Sequence, residues 1–312
     1  MRCVFSECLN DNALGSHAGS PPGAPPGVEV VVDLSAMMRL FREPGRVVRA
    51  AVDDFVTTLF PSDCRVCKGP LLRAGFAPVC DDCVGGVAAQ TATLCGRCGE
   101  ALDLEGVRFA GQFPAEGLLC SPCRMVPPEF ERAVAYGVYQ DGLREMVHLL
   151  KYERMTAVAR SMGGMLARSI ETLEGDVAGE LMVVAVPLFP AKERQRGYNQ
   201  AVLLADAALM ELKKTRPAWK LQSAHGVIRR VRDTESQFAL TPRGRRRNLK
   251  GAFAVRKDAA LARREVLLVD DIYTTGATAR ECARALRRAG ATKVWVATLA
   301  RAQREMVEFW DG

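Results

Sequence analysis

VLLVDDIYTTGAT, Val266 to Thr278, carries four apolar residues straight into two adjacent aspartates and then a small-residue loop. A short, uninterrupted apolar run reads as a strand buried on both faces, the kind found in parallel sheets. Open α/β sheets bind ligands beyond the carboxyl ends of their strands, and Asp270 and Asp271 fall at such an end. The loop after them suits a phosphate. Gly276 lets backbone approach closely, Thr274, Thr275 and Thr278 offer hydroxyls, and the helix that follows presents unpaired N–H groups and the positive end of its dipole. Carboxylates repel phosphate but accept hydrogen bonds from vicinal hydroxyls, so a ribose bearing a 5′-phosphate fits both halves. Taken alone, an Asp pair is also compatible with a turn or helix cap, and Thr278 with Glu281 fits a capping box. No GxxxxGK[ST] and no strand-linked GxGxxG occurs, which argues against a P-loop ATPase and a dinucleotide site.

The surrounding sequence repeats the strand–helix alternation. LMVVAVPLF, 181–189, and KVWVATLAR, 293–301, read as two more buried strands. NQAVLLADAALMELKK and TARECARALRRAG read as helices, the second closed by Gly290. The pattern predicts an α/β domain over 128–305. Upstream, VVRAAVDDFVTTLF has apolar residues at helical intervals and predicts a helix within 46–60, ended by Pro61. Residues 1–45, rich in Gly and Pro, read as a disordered tail. Met37 and Met38, just before the first amphipathic stretch, suggest a later translation start.

Eleven cysteines without a signal-peptide pattern argue for metal rather than disulfides and for a cytoplasmic protein. No run of eighteen apolar residues suggests a membrane span. Eight of the cysteines form CxxC pairs: Cys64/Cys67, Cys80/Cys83, Cys95/Cys98 and Cys120/Cys123. Each pair brings two thiolates to one ion, and a second pair closes a tetrahedral shell. The spacings suggest two structural zinc ribbons in series over 61–125, with interleaved pairing left open; iron–sulfur ligation and redox dithiols are the weaker alternatives. Cys3, Cys8 and Cys282 read as bystanders, Cys282 as a small buried hydrophobe.

The chain of 312 residues carries a net charge of +7, concentrated between Arg229 and Lys250, where eight Arg/Lys face Asp233 and Glu235 for a net +6. This is either a solvated face or a surface for a polyanion. Phe238 is nearly alone as an aromatic there, which disfavours a stacking platform for single strands.

VLLVDDIYTTGAT resembles the binding signature for phosphoribosyl pyrophosphate (PRPP) of type I phosphoribosyltransferases. The ordered set of CxxC pairs, LLKYERM, VPLFPAKERQRGYNQAVLLA and RRVRDTESQFALTPRGRRRNLKGAF is similar to the ComF family, competence-associated proteins that join zinc ribbons to a phosphoribosyltransferase-like domain. The resemblance covers about residues 55 to 302. Tyr198 stands where Phe is common, and a usual glycine after Lys151–Tyr152 is missing.

The resemblance implies a type I phosphoribosyltransferase-like parallel sheet with flanking helices behind a double zinc-ribbon module. It implies Asp270 and Asp271 on the ribose hydroxyls, with Thr274, Thr275, Gly276, Ala277 and Thr278 on the 5′-phosphate. Arg194, Arg196 and Gly197 would meet pyrophosphate. Thr234, Gln237, Arg243 and Asn248 would belong to a loop closing over PRPP and excluding water. Magnesium would ride on the substrate's oxygens. The acceptor is not specified. The expected activity is phosphoribosyl transfer with loss of pyrophosphate, linked to DNA uptake. The alternatives are an accessory protein that binds single-stranded DNA or the uptake machinery without turnover, and a PRPP-sensing regulator. Lys151 and Tyr152 carry no derivable role, and His148 reads as a packed or surface residue.

Overall fold

The computed structural model describes residues 62–71, 78–102, 117–233, 244 and 249–303. The tail, the 46–60 helix and the closing-loop positions Thr234, Gln237, Arg243 and Asn248 lie outside them.

Five strands form one parallel sheet in the order β1-β7-β6-β2-β3: β1 Ala133–Val138, β2 Leu181–Ala185, β3 Leu221–Ser223, β6 Glu265–Tyr273 and β7 Lys293–Arg301. The central strands are apolar on both faces because helices cover both. Leu267 and Val269 pack against the helices α3 (Asp141–Tyr152), α4 (Ala159–Glu171) and α6 (Gln200–Thr215); Val266 and Leu268 pack towards α7 (Ala277–Arg288). The α4–α6 contact is close: a Cβ on Gly163 would collide with Ala207. A separate antiparallel pair, β4 (Ile228–Arg230) with β5 (Phe253–Val255), brackets the basic segment.

From β2 the chain continues outward to β3; from β6 it continues the other way, to β7. The direction therefore reverses between β2 and β6, and in open α/β sheets such a reversal sets the ligand crevice at the carboxyl ends. That crevice is where the acid pair falls. The β6 strand itself runs on to Tyr273, so the aspartates lie within its last turn of pleat.

The cysteine segment wraps the free edge of β1. Ala133 N–H donates to Arg97 O at 2.8 Å, and Gln90 gives its N–H to Tyr136 O at 2.8 Å and its side-chain amide to Ala135 O at 3.1 Å. An exposed strand edge is thereby closed. Cys64, Cys80 and Cys83 pack on the α3 face of the sheet, while Cys95, Cys98, Cys120 and Cys123 pack on the α7 face. Among the described residues no helix is long and apolar enough to cross a membrane.

Candidate functional site

Adjacent residues of a strand point to opposite faces, so the two acids meet different neighbours. Asp271 is buried and lies 3.0 Å from the ammonium of Lys151, the penultimate residue of α3. Burial alone would discharge that lysine; the Asp271 carboxylate outweighs it and raises the Lys151 pKa. The hydroxyl of Tyr198 donates to Leu150 O, which fixes the helix end that carries Lys151. Asp270 faces Arg230 and Cys282. Burial, and then repulsion from Asp271, push its carboxyl up to about 7.

The loop after the acids leads into a helix, which starts earlier than the capping box would set it. Gly276 is the helix N-cap, at φ 71, and α7 begins at Ala277. Thr278 is therefore inside the first turn and no side chain caps the helix. Glu281 instead accepts from Gly251 N–H at 2.7 Å and pairs with Arg284 at 3.0 Å, so the capping box does not form. Gly276 is required twice over. Its backbone is left-handed, and a Cβ would run into the Tyr273 hydroxyl. The Thr275 hydroxyl is buried without a hydrogen-bond partner, beside the open N-terminus of α7. A phosphate oxygen would satisfy both.

Basic residues follow β2 and lie on β4. The segment after β2 is a short helix, α5 (Pro190–Arg196), rather than an open loop; Pro190 starts it and Gly197, at φ 89, ends it. Arg196 donates to Gln200 Oε1 and lies 5.8 Å over the Tyr152 ring. Arg194 is exposed on the same helix. Lys192 is exposed on the same helix; partial desolvation, then repulsion from Arg196, Arg230 and Lys151, lowers its pKa. Asn199 holds the exit of β2 through Val186 O at 3.0 Å and caps α6 through Ala201 N–H at 2.9 Å. Lys151, Lys192 and Arg230 received no role from the sequence. Lys151 offered only its place at a helix end, and Arg230 was one of eight basic residues in its segment.

The cysteines form two groups, Cys64/Cys67/Cys80/Cys83 and Cys95/Cys98/Cys120/Cys123, each with sulfurs within 4.8 Å of one another. Pairing is thus sequential. Zinc–sulfur bonds of about 2.3 Å at tetrahedral angles put sulfurs about 3.8 Å apart. Cys64–Cys83 and Cys67–Cys80 are separated by 3.8 Å and Cys98–Cys120 by 3.6 Å. The two sites share one construction. The first pair of each sits in a tight turn closed by Cys64 N–H to Gly69 O or by Cys95 N–H to Glu100 O, both 2.7 Å. The second pair opens a short helix, Asp81–Gly85 or Ser121–Met125. Backbone N–H groups aim at sulfur: Cys80 to Cys64 and Cys83 to Cys80 at 3.4 Å, Cys120 to Cys95 at 3.3 Å.

Ionisation follows from that crowding. Burial opposes a thiolate at Cys64, but backbone donors from Cys67, Cys80 and Val66 bring it down to about 6. Burial and the neighbouring sulfurs push Cys83 up to about 12. Four thiols in so small a space cannot all ionise unless a cation sits among them. Both groups fit zinc ribbons. Cys282 is fully buried, and its burial raises the thiol pKa well above the usual value. His148 is half exposed, 4.7 Å from the Tyr152 ring.

No family model matches the chain. It is 32% identical over 243 residues to DNA utilization protein YhgH of Salmonella typhimurium, covering 77% of this chain and 97% of that one. It is 30% identical to competence protein F of Haemophilus influenzae, covering 77% of this chain and 96% of that one. The chain belongs to the ComF family. Competence protein ComFC of Bacillus subtilis is similar over a shorter span, 27% identical across 49% of this chain and 56% of its own. Among solved structures, a hypoxanthine phosphoribosyltransferase of Staphylococcus aureus aligns with 46% of this chain and 64% of its own, at 14% identity and a TM-score of 0.30. As a ComF protein, the chain joins two Cys₄ groups to a five-stranded parallel sheet, and its acid pair and the loop that follows stand at the reversal of that sheet.

Proposed function

We propose that this ComF protein binds PRPP with magnesium and transfers its phosphoribosyl group to an acceptor, releasing pyrophosphate. One observation carries the reading. An acid pair stands at the sheet reversal directly before a helix N-terminus whose neighbouring Thr275 hydroxyl is buried and unpartnered. Asp270 and Asp271 accept hydrogen bonds from the ribose hydroxyls. Thr274 to Thr278 hold the 5′-phosphate. Arg230 acts electrostatically on Asp270, and Lys192 feels both Asp271 and Arg196; Arg194, Arg196 and Gly197, with these two cations, would meet the pyrophosphate. The nucleophile bonds to C1′ as the C1′–oxygen bond breaks, and the electron pair leaves with pyrophosphate. Magnesium would ride on the substrate's oxygens and neutralise part of that charge. No side chain is assigned as base, since an acceptor that is already deprotonated needs none. The two Cys₄ groups each take one structural zinc.

PRPP with magnesium at about 100 times its dissociation constant stabilises the fold by about 2.7 kcal/mol. The reading expects that rise in melting temperature for wild type and its loss in Asp271→Asn. An equal rise in both would remove the acids from the site.

The names of the relatives support a second reading, a DNA-binding accessory without turnover. It would use the basic segment between β4 and β5. Steeply salt-dependent binding of single-stranded DNA, lost on neutralising Arg245, Arg246 and Arg247, supports it. DNA binding that ignores those arginines counts against it.

A further inference from the structure

Arg301 ends β7 with its side chain almost wholly buried. Its guanidinium reaches three things at once. One nitrogen pairs with Glu100 and lies 3.6 Å from the sulfur of Cys98. The guanidinium carbon lies 4.4 Å over the centre of the Tyr273 ring. Its Nε and Nη1 are buried with no hydrogen-bond acceptor, so the ring face is their remaining electrostatic partner. Tyr273 is the last residue of β6, held edge-on by Phe130 at 6.4 Å, and its hydroxyl occupies the space where a Cβ of Gly276 would lie. A second link runs along the helix that follows. Arg280 of α7 donates to Val126 O at 2.8 Å and approaches the Cys123 sulfur at 4.0 Å. Arg284, one turn on, pairs with Glu129 at 3.1 Å.

We infer that Arg301 and Arg280 are positioning residues through which the second cysteine cluster sets the phosphate loop. A zinc held by four thiolates leaves a local charge of about −2, and two arginines of the sheet domain approach those sulfurs. The cluster fixes Arg301, Arg301 fixes the Tyr273 ring, and the Tyr273 hydroxyl supports Gly276 from below. The first cluster has no such link among the described residues; its sulfurs meet one another and backbone N–H groups. The two zinc sites are therefore unequal: the turns around both help close the edge strand, but among the described residues the second alone is linked through arginines to the loop.

This inference rests on the loop being a phosphate site, as proposed above. The probes are ribose 5-phosphate, which would engage the loop, and magnesium pyrophosphate, which would not. Arg301→Met leaves Glu100 without that partner and risks misfolding, so Tyr273→Phe is measured beside it; it keeps the ring and removes only the hydroxyl under Gly276. Tyr273→Phe is expected to bind ribose 5-phosphate about tenfold more weakly while binding magnesium pyrophosphate as wild type does. Coupling is reciprocal, so saturating ribose 5-phosphate must make zinc about tenfold harder to extract with a competing chelator. That protection is read in Cys64→Ser/Cys67→Ser protein, whose remaining zinc is the second cluster's. If wild type binds ribose 5-phosphate but Tyr273→Phe binds it equally, or zinc affinity ignores the ligand, the coupling is wrong. If wild type binds neither probe, the phosphate-site reading falls, and the coupling with it.

Discussion

The Cys64 cluster and the Cys95 cluster use the same ligands, the same turn and the same helix start, yet they occupy different surroundings. The first has one exposed and two half-exposed cysteines and packs beside α3; the second is buried at all four and packs beside Tyr273 and α7. The acids below follow the same division. Asp271, on the first cluster's face, is matched to the Lys151 ammonium; Asp270, on the second's, meets Arg230 at a distance and is left near neutrality. Equal coordination chemistry therefore does not imply equal roles. What a cluster contributes is decided by the groups that touch it from the sheet.

The largest effect should come from breaking the buried cluster. Cys123→Ser is expected to cost about 3–5 kcal/mol in denaturant unfolding, against about 1–2 kcal/mol for Cys67→Ser on the open one. Equal costs would erase the distinction. Next is the pair on the opposite face. Lys151→Met strands a buried carboxylate, so a loss of about 3 kcal/mol is expected, part of which adding Asp271→Asn restores. A strictly additive double mutant would show that the ion pair is idle.

The acid pair sharpens the contrast through pH. A carboxyl whose pKa is raised by folding binds its proton more tightly when folded. Its contribution is favourable below the unfolded value near 4 and is lost as pH rises through about 7. Ribose hydroxyls need the ionised form, so ribose 5-phosphate should bind more tightly between pH 6 and 8, by up to about tenfold per unit below 7. The phosphate ligand titrates nearby, so Asp270→Asn is the control: it should flatten the part of the slope that belongs to the protein. An unchanged slope would place the titration on the ligand alone. The smallest effect expected is Tyr198→Phe. It removes the hydroxyl donated to Leu150 O and should cost about 1 kcal/mol, with zinc content unchanged.

The sequence made the sheet readable because its strands are short apolar runs separated by helices of ordinary length, and parallel burial leaves that mark. The CxxC spacing made both Cys₄ groups readable for the same kind of local reason: two thiolates three residues apart share one turn. The spacing suggested ribbons in series, as the sulfurs group, but did not decide it, since any pair can complete any other. Lys151 was hidden, because its partner lies 120 positions away in the chain and meets it only through the sheet. Arg301 and Tyr273 looked like the ends of two strands; their stacking depends on the register Tyr273↔Arg301, which no local pattern encodes. The capping box failed because helix α7 is capped two residues before Thr278, at Gly276, whose left-handed backbone and contact with the Tyr273 hydroxyl leave no room for a side chain.

Calorimetric titration of magnesium PRPP into wild type and into Asp270→Asn/Asp271→Asn bears most directly on the central claim. The account predicts saturable one-site binding to wild type, and none to a double variant that melts cooperatively with its zinc in place. Equal binding by both, or none by well-folded wild type, would contradict it and leave the acid pair and its loop as scaffold.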